Sequence, residues 1–130
     1  MWYIETSASI KLVAEEVESA ALAERLEAWR AHGDPIVTSM LTLTEMHRSA
    51  VRLELDPVLV TSVLGQFSIV SVEDQDFQMA AHLHGHRLRS LDAIHVAVAL
   101  RYRCDGFLSY DVRQIEAAVG VGLSTLEPSA

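Results

Sequence analysis

The 130-residue chain holds a single cysteine, a single lysine and no uninterrupted apolar run near the roughly 20 residues that cross a bilayer. With one cysteine, Cys104, an internal disulfide is excluded. Nothing around Cys104 suggests a nucleophile, so it is expected to be a small buried residue. The opening stretch MWYIETSASIKLV lacks the basic start and continuous apolar core of a secretory signal. A soluble, reducing, cytoplasmic setting away from membranes is the expectation. Basic residues are scarce: 10 Lys and Arg face 18 Asp and Glu, for a net charge of −8, and Lys11 is the only lysine. Broad neutralisation of nucleic-acid phosphates by such a surface is disfavoured. If the chain handles nucleic acid, positive charge must come from elsewhere, and a divalent cation held by clustered acids supplies it. No glycine-rich phosphate loop, internal repeat, low-complexity segment or linker is present.

What is there is apolar enough to fold. Half of the residues are hydrophobic, and the length suits one domain covering residues 1–130. WYI at 2–4 is a short β-prone run, followed by helical spacing over 7–16 and 19–31. GDP at 33–35 is a turn and IVT at 36–38 a second strand. Helical patterns over 39–55 and, after the Asp56-Pro57 break, to about 66 precede a third strand, SIVSV at 68–72. A helix over 74–84 closed by Gly85, a helix opening near RSLDAIHVAVAL, a fourth strand FLS at 107–109, a helix over 111–119 and a weak strand near Leu123 complete the order. Short apolar strands alternating with helices predict a parallel sheet covered on both faces. Ligands of such sheets bind at the carboxyl edge of the strands.

Four acids fall at that edge. Glu5 closes the first strand, where it is either an ordinary solvated acid or a carboxylate emerging at the ligand edge. Asp111 holds the equivalent place after FLS. With Gln114 three residues on, it also resembles a capping box worth about 1 kcal/mol without any function. Asp92 sits in a first helical turn, where the macrodipole favours an acid by some tenths of a kcal/mol. That does not account for an acid against IHVAVAL, since a carboxylate facing apolar neighbours is costly unless it meets a cation. Glu45 shares a helical face with Leu41, Arg48 and Arg52, so an ion pair with either arginine is its plain alternative. Taken together, two strand ends and two helix starts let four carboxylates converge. Hard oxygen donors with few nitrogens suit magnesium or manganese, which activate water and steady a phosphate under attack.

These residues carry a resemblance. MWYIETSASIKL, TLTEMHRSA, RSLDAIHVAVAL and GFLSYDVRQIEAA resemble the four acidic motifs of PIN-domain nucleases, in particular the VapC-like toxins of toxin–antitoxin modules. The resemblance covers nearly the whole chain, and LDAIHVA with SYDVR is its most specific part. It implies a three-layer α/β/α PIN-like fold with a mostly parallel central sheet, a divalent-metal endoribonuclease, homodimerisation and inhibition by a small cognate antitoxin. It also implies site residues: Glu5, Asp92 and Asp111 binding Mg2+ or Mn2+, Glu45 binding or orienting metal-bound water, and Ser7 and Ser109 at the hydroxyl positions that hold the carboxylates. On that reading RNA is cut in line, leaving a 5′-phosphate and a 3′-hydroxyl, and Arg48, Arg87, Arg89 and Arg113 are candidate phosphate contacts. The family's first motif normally carries Asp where this chain has Glu5. An extra methylene moves the carboxylate by roughly a bond length, while magnesium demands near-ideal octahedral distances. The alternative is therefore a weakened or inactive PIN module that acts mainly by binding its antitoxin. The residues do not separate an RNA nuclease from a DNA nuclease.

Two other constellations compete less well. His82, His84 and His86 in HLHGH, with His95, raise a zinc or nickel site, but Gly85 interrupts them and structural zinc usually recruits cysteine. Histidines at a helix end complementing the dipole are the ordinary reading. His95 lies three residues beyond Asp92 on the same face, as either an outer contact of the acidic site or a filler of a helix interface. A receiver domain also places acids at strand ends, but it needs a lysine after a late strand, and Lys11 follows the first.

Overall fold

In the computed structural model, which describes residues 1–129, short strands alternate with helices. The order is β1 (Trp2–Ile4), α1 (Thr6–Ser9), a 3-10 turn (Ile10–Leu12), α2 (Ser19–His32), β2 (Ile36–Ser39), α3 (Met40–Leu53), α4 (Pro57–Leu64), β3 (Ser68–Val70), α5 (Asp74–Ala80), α6 (Ser90–Arg101), β4 (Gly106–Leu108), α7 (Val112–Gly120) and β5 (Ser124–Leu126). Local signals set the boundaries. The Ser39 hydroxyl accepts the Leu41 N–H and starts α3, and Asp56 followed by Pro57 starts α4. Gly33, at φ 77, closes α2 in the left-handed conformation that glycine adopts without strain.

The strands pair in parallel in the order β3-β2-β1-β4-β5. Side chains alternate along each strand. Ile4, Ile36 and Leu108 therefore meet Leu22, Leu26, Met46 and Val60 in one core. Tyr3, Val37 and Phe107 meet Ile94, Val96, Val98 and Ala118 in a second core on the opposite face. This is the three-layer α/β/α arrangement expected from the alternating pattern. No helix among the described residues is long and apolar enough to cross a membrane.

Two helices are shorter than their sequence patterns. Over 7–16, regular α-helix stops at Ser9 and the 3-10 turn at Leu12. There Ile10, Leu12 and Val13 pack onto the first core, and Lys11 reaches forward to Glu16 (2.5 Å) and Glu18 (3.0 Å). Over 74–84 the helix ends at Ala80. The following segment forms a loop through Gly85, at φ 136, that lays Leu83 and Leu88 on the second core. The third strand pairs only over Ser68–Val70.

The chain runs from β1 outward to β2 and β3, then crosses to β4 on the other side of β1, so the strand order reverses between β1 and β4. The crevice at the carboxyl ends of such a pair is where parallel sheets bind ligands. Register across this pair sets Trp2 opposite Gly106, and the Trp2 ring, stacked on Trp29 at 4.4 Å, fills the space a side chain at 106 would need. A Cβ at Gly106 would lie 2.1 Å from a Trp2 ring carbon. Gly106→Ala is expected to lower unfolding stability by about 2–3 kcal/mol through overpacking, measured by urea denaturation. A loss below about 0.5 kcal/mol would show that the ring moves aside freely.

Candidate functional site

Glu5 follows the last residue of β1 and is 3% exposed. It is the N-cap of α1: its Oε2 accepts the Ser7 N–H (3.0 Å), and Oε1 accepts the Ala8 N–H (3.2 Å) and the Ser7 hydroxyl. Burial pushes this carboxyl above the usual carboxylate range, against the opposing pull of His95 and Ser7. From Ser7 the contacts cross the switch point. Ser7 Oγ accepts the Tyr110 N–H (2.9 Å) and stands 3.4 Å from Ser109 Oγ. Ser109 Oγ accepts the Asp111 N–H (3.0 Å) and donates to Gln114 Oε1 (3.2 Å). Gln114 Nε2 then donates to Asp92 Oδ1 (3.0 Å) at the start of α6. Glu5, just past the first strand, and Asp92, in the first turn of the sixth helix, thus lie at the two ends of one chain of polar contacts.

Asp111 joins it through its backbone N–H on Ser109, whereas Glu45 lies alongside in a separate set of contacts. Glu45, in the second turn of α3, accepts on Oε1 from Thr6 Oγ1 (2.7 Å) and lies 2.6 Å from His95 Nε2. Burial pushes Glu45 up, but the hydrogen bonds and charge of His95 and the Thr6 hydroxyl outweigh it, so its carboxyl titrates below the ordinary value. The sequence alternative of a pair with Arg48 or Arg52 is not what forms: Arg52 reaches Ser49 instead (3.2 Å), and Arg48 is exposed on α3. Asp111 caps α7 through the Arg113 N–H (2.9 Å), and the Arg113 guanidinium lies on the same carboxylate at 3.3 and 3.2 Å. Burial raises its pKa and Arg113 more than offsets that, leaving it below the usual range. Half of the expected capping box is therefore present. The other half is replaced, because Gln114, 1% exposed, turns its amide to Ser109 and Asp92.

Ser7 contacts a carboxylate directly, whereas Ser109 reaches Asp92 only through Gln114. Three of the four candidate arginines, Arg87, Arg89 and Arg113, line a cavity of about 590 Å³ together with Asp111 and His86. Arg87 also pairs with Glu116 at 3.5 Å. His82, His84 and His86 lie in the loop after α5 rather than on a helix end. Cys104 is buried, and burial pushes its thiol up to about 11, which removes it as a nucleophile at neutral pH.

Sequence reasoning missed Gln114, Thr6 and Tyr3 as parts of this network. A tyrosine at the centre of an otherwise apolar strand was the available signal, since a buried hydroxyl needs a partner. Among the described residues, no three His, Cys, Asp or Glu side chains close around one metal-sized point. The carboxylates are joined through hydroxyls and an amide. The donor set nevertheless fits a hard divalent cation. Among the described residues Arg113, on Asp111, is the one guanidinium bonded to any of the four acids, and the His95 ring meets Glu45. Asp92 Oδ2 and Glu45 Oε2 take no protein hydrogen bond among the described residues.

The PIN domain family matches residues 2–120. Ribonuclease VapC35 of Mycobacterium tuberculosis is 37% identical over 139 aligned residues, covering 98% of this chain and 97% of that protein. Among solved structures, the M. tuberculosis VapC20 toxin, described as cleaving the sarcin-ricin loop, superposes with a TM-score of 0.74 at 18% identity, covering 98% of this chain and all of that one. A toxin–antitoxin complex from Klebsiella pneumoniae also reaches 0.74 at 18% identity, with 98% of each chain covered. With the acids at the switch point, these likenesses make the chain a member of the PIN-domain family, among its VapC-like members.

Proposed function

We propose that this protein is a divalent-metal-dependent endoribonuclease and the toxin of a toxin–antitoxin module, working in the cytoplasm as a homodimer that a small cognate antitoxin restrains. The observation that carries the reading is the chain of contacts from Glu5 through Ser7, Ser109 and Gln114 to Asp92, with the Asp111 backbone attached at Ser109 and Glu45 held separately by Thr6, the residue after Glu5, and by His95. It ties Glu5 and Asp92 together at the edge where this topology binds ligands, with Asp111 and Glu45 next to it in sequence or contact. The ribonuclease name of the 37%-identical relative and the toxin–antitoxin setting of the fold neighbours support it.

In this reading Glu5, Asp92 and Asp111 hold Mg2+ or Mn2+. The bound cation supplies Lewis acidity, lowering the pKa of water and neutralising charge on a phosphate under attack. Glu45 offers its free Oε2 to the attacking water, while Thr6 and His95 hold Oε1. Gln114 and the two serines keep the carboxylates from swinging away from one another, so positioning is the protein's main contribution. Arg113, Arg87 and Arg89, around the cavity beside Asp111, take the flanking phosphates of the strand, with Arg48 further out on α3. The products are a 5′-phosphate and a 3′-hydroxyl.

A specific observation favours the second reading, an attenuated or non-cutting module. Both oxygens of Glu5 are engaged by the first turn of its own helix. Asp is among the preferred N-cap residues and Glu is not. Glu5→Asp therefore keeps the helix start while shortening the side chain by one methylene. Cleavage of a mixed RNA pool in Mn2+ is expected to rise about tenfold in this variant, the scale on which placement of metal-site groups acts. A Glu5→Asp protein that neither binds Mn2+ nor cuts RNA would hand the site to antitoxin binding alone.

A further inference from the structure

One buried group belongs to neither the acid set nor the apolar cores. His95 is fully excluded from solvent in the middle of α6, yet both ring nitrogens have oxygen partners. Nε2 lies 2.6 Å from Glu45 Oε1, and Nδ1 lies 2.7 Å from the Tyr3 hydroxyl. Tyr3, itself fully buried, donates its single hydroxyl proton to Ser39 Oγ at 2.9 Å. The ring and hydroxyl protons share these contacts according to the tautomer, and the tautomer with its proton on Nε2 donates to Glu45. Ser39 in turn caps α3, the helix that carries Glu45. The contacts therefore close a ring: Ser39 starts α3, α3 carries Glu45, Glu45 meets His95, His95 meets Tyr3, and Tyr3 returns to Ser39. Strands β1 and β2 and helices α3 and α6 each contribute a member to it. A glutamate on an open helix face samples several rotamers, whereas this one is held from three elements at once.

Resting on the ribonuclease reading above, we propose that His95 is a positioning residue of the reaction: anchored by Tyr3 and Ser39, it fixes Glu45 Oε1 and leaves Oε2 as the oxygen that meets the reacting water. Because His95 is sealed from solvent, it touches neither RNA nor cation and acts through Glu45 alone. An isolated buried histidine that only fills space has no need of a carboxylate at one nitrogen and a tyrosine at the other.

The test uses the full chain with Mg2+, reading kcat and KM on RNA for His95→Gln, His95→Asn and Tyr3→Phe. The Gln amide nitrogen sits near the place of Nε2 and keeps a donor for Glu45, whereas the Asn amide mimics Nδ1 and loses it. His95→Asn is expected to lower kcat by about 10–100-fold, with KM within about threefold. His95→Gln should recover most of that loss, and Tyr3→Phe should fall between the two. Equal loss in Gln and Asn, or a kcat for His95→Asn within about twofold of wild type, overturns the proposal. A second readout does not depend on cleavage. Imidazole NMR of the wild-type protein should show a protected, downfield Nε2–H that Glu45→Gln shifts and Tyr3→Phe broadens. A wild-type protein that cuts no RNA removes the ribonuclease reading while this resonance still decides the ring, and an Nε2–H blind to Glu45→Gln removes the ring itself.

Discussion

Asp92→Asn is expected to cut RNA cleavage about 1,000-fold, three tenfold steps of roughly 1.4 kcal/mol each. That total matches the several kcal/mol that a metal's charge stabilisation contributes at a phosphate under attack. The substitution is informative because it removes charge and little else. The Asn side chain keeps a carbonyl oxygen where Asp92 Oδ1 accepts the Gln114 amide, so the contacts through Ser109 to Ser7 and Glu5 survive. What disappears is the negative charge at Oδ2, which has no protein donor among the described residues. Mn2+ affinity, measured by calorimetry, should fall along with the rate, while the melting temperature stays close to that of the wild type. A variant cleaving within about tenfold of the parent would place Asp92 in dipole complementation at the start of α6 and out of the chemistry.

The second large effect lies away from the site, in the clamp that seats α6. Asp76, fully buried in α5, accepts the Glu73 N–H (2.8 Å) and both Nε (2.7 Å) and Nη2 (2.9 Å) of Arg101 at the end of α6. Arg101 also donates to the Ser71 carbonyl (2.9 Å), and its guanidinium lies over the Tyr102 ring. Removing one partner of a buried pair strands the other charge in a medium that solvates it poorly, at about 3–5 kcal/mol. Arg101→Met keeps the apolar stem and deletes the cation, so a loss near 3 kcal/mol is expected in urea denaturation. Adding Asp76→Asn should recover part of it, a coupling that a double-mutant cycle reads directly. A single-variant loss under about 1 kcal/mol would mean that water reaches Asp76 and solvates it.

The sequence disclosed positions far better than partners. Strand ends and helix starts are local properties, so Glu5 and Asp111 at the carboxyl edge, and Asp92 and Glu45 early in their helices, follow from pattern alone. Partners are long-range. Helical spacing offered Glu45 an arginine three or seven residues on, but it took His95 from 50 residues away. Capping rules paired Gln114 with Asp111, but a buried amide has four bonding sites to satisfy, and Ser109 and Asp92 lay within reach. The helices over 7–16 and 74–84 overran for a related reason. Leu12, Val13, Leu83 and Leu88 reach the two cores from outside regular α-helix, and tertiary burial outweighs a weak local propensity. Asp76 carried no sign of its arginine, since nothing local links residues 25 apart.

The central claim, that these four carboxylates form a metal-dependent RNA-cutting site, is tested most directly by mapping RNA ends. A defined RNA pool is incubated with the wild-type protein in Mn2+, with a matched Asp111→Asn protein and a chelated arm alongside, and new termini are sequenced. The expected result is discrete new ends bearing 5′-phosphates and 3′-hydroxyls with the wild-type protein and metal, absent from both controls. New ends at equal frequency in Asp111→Asn or in chelator, or none in any arm, would contradict it.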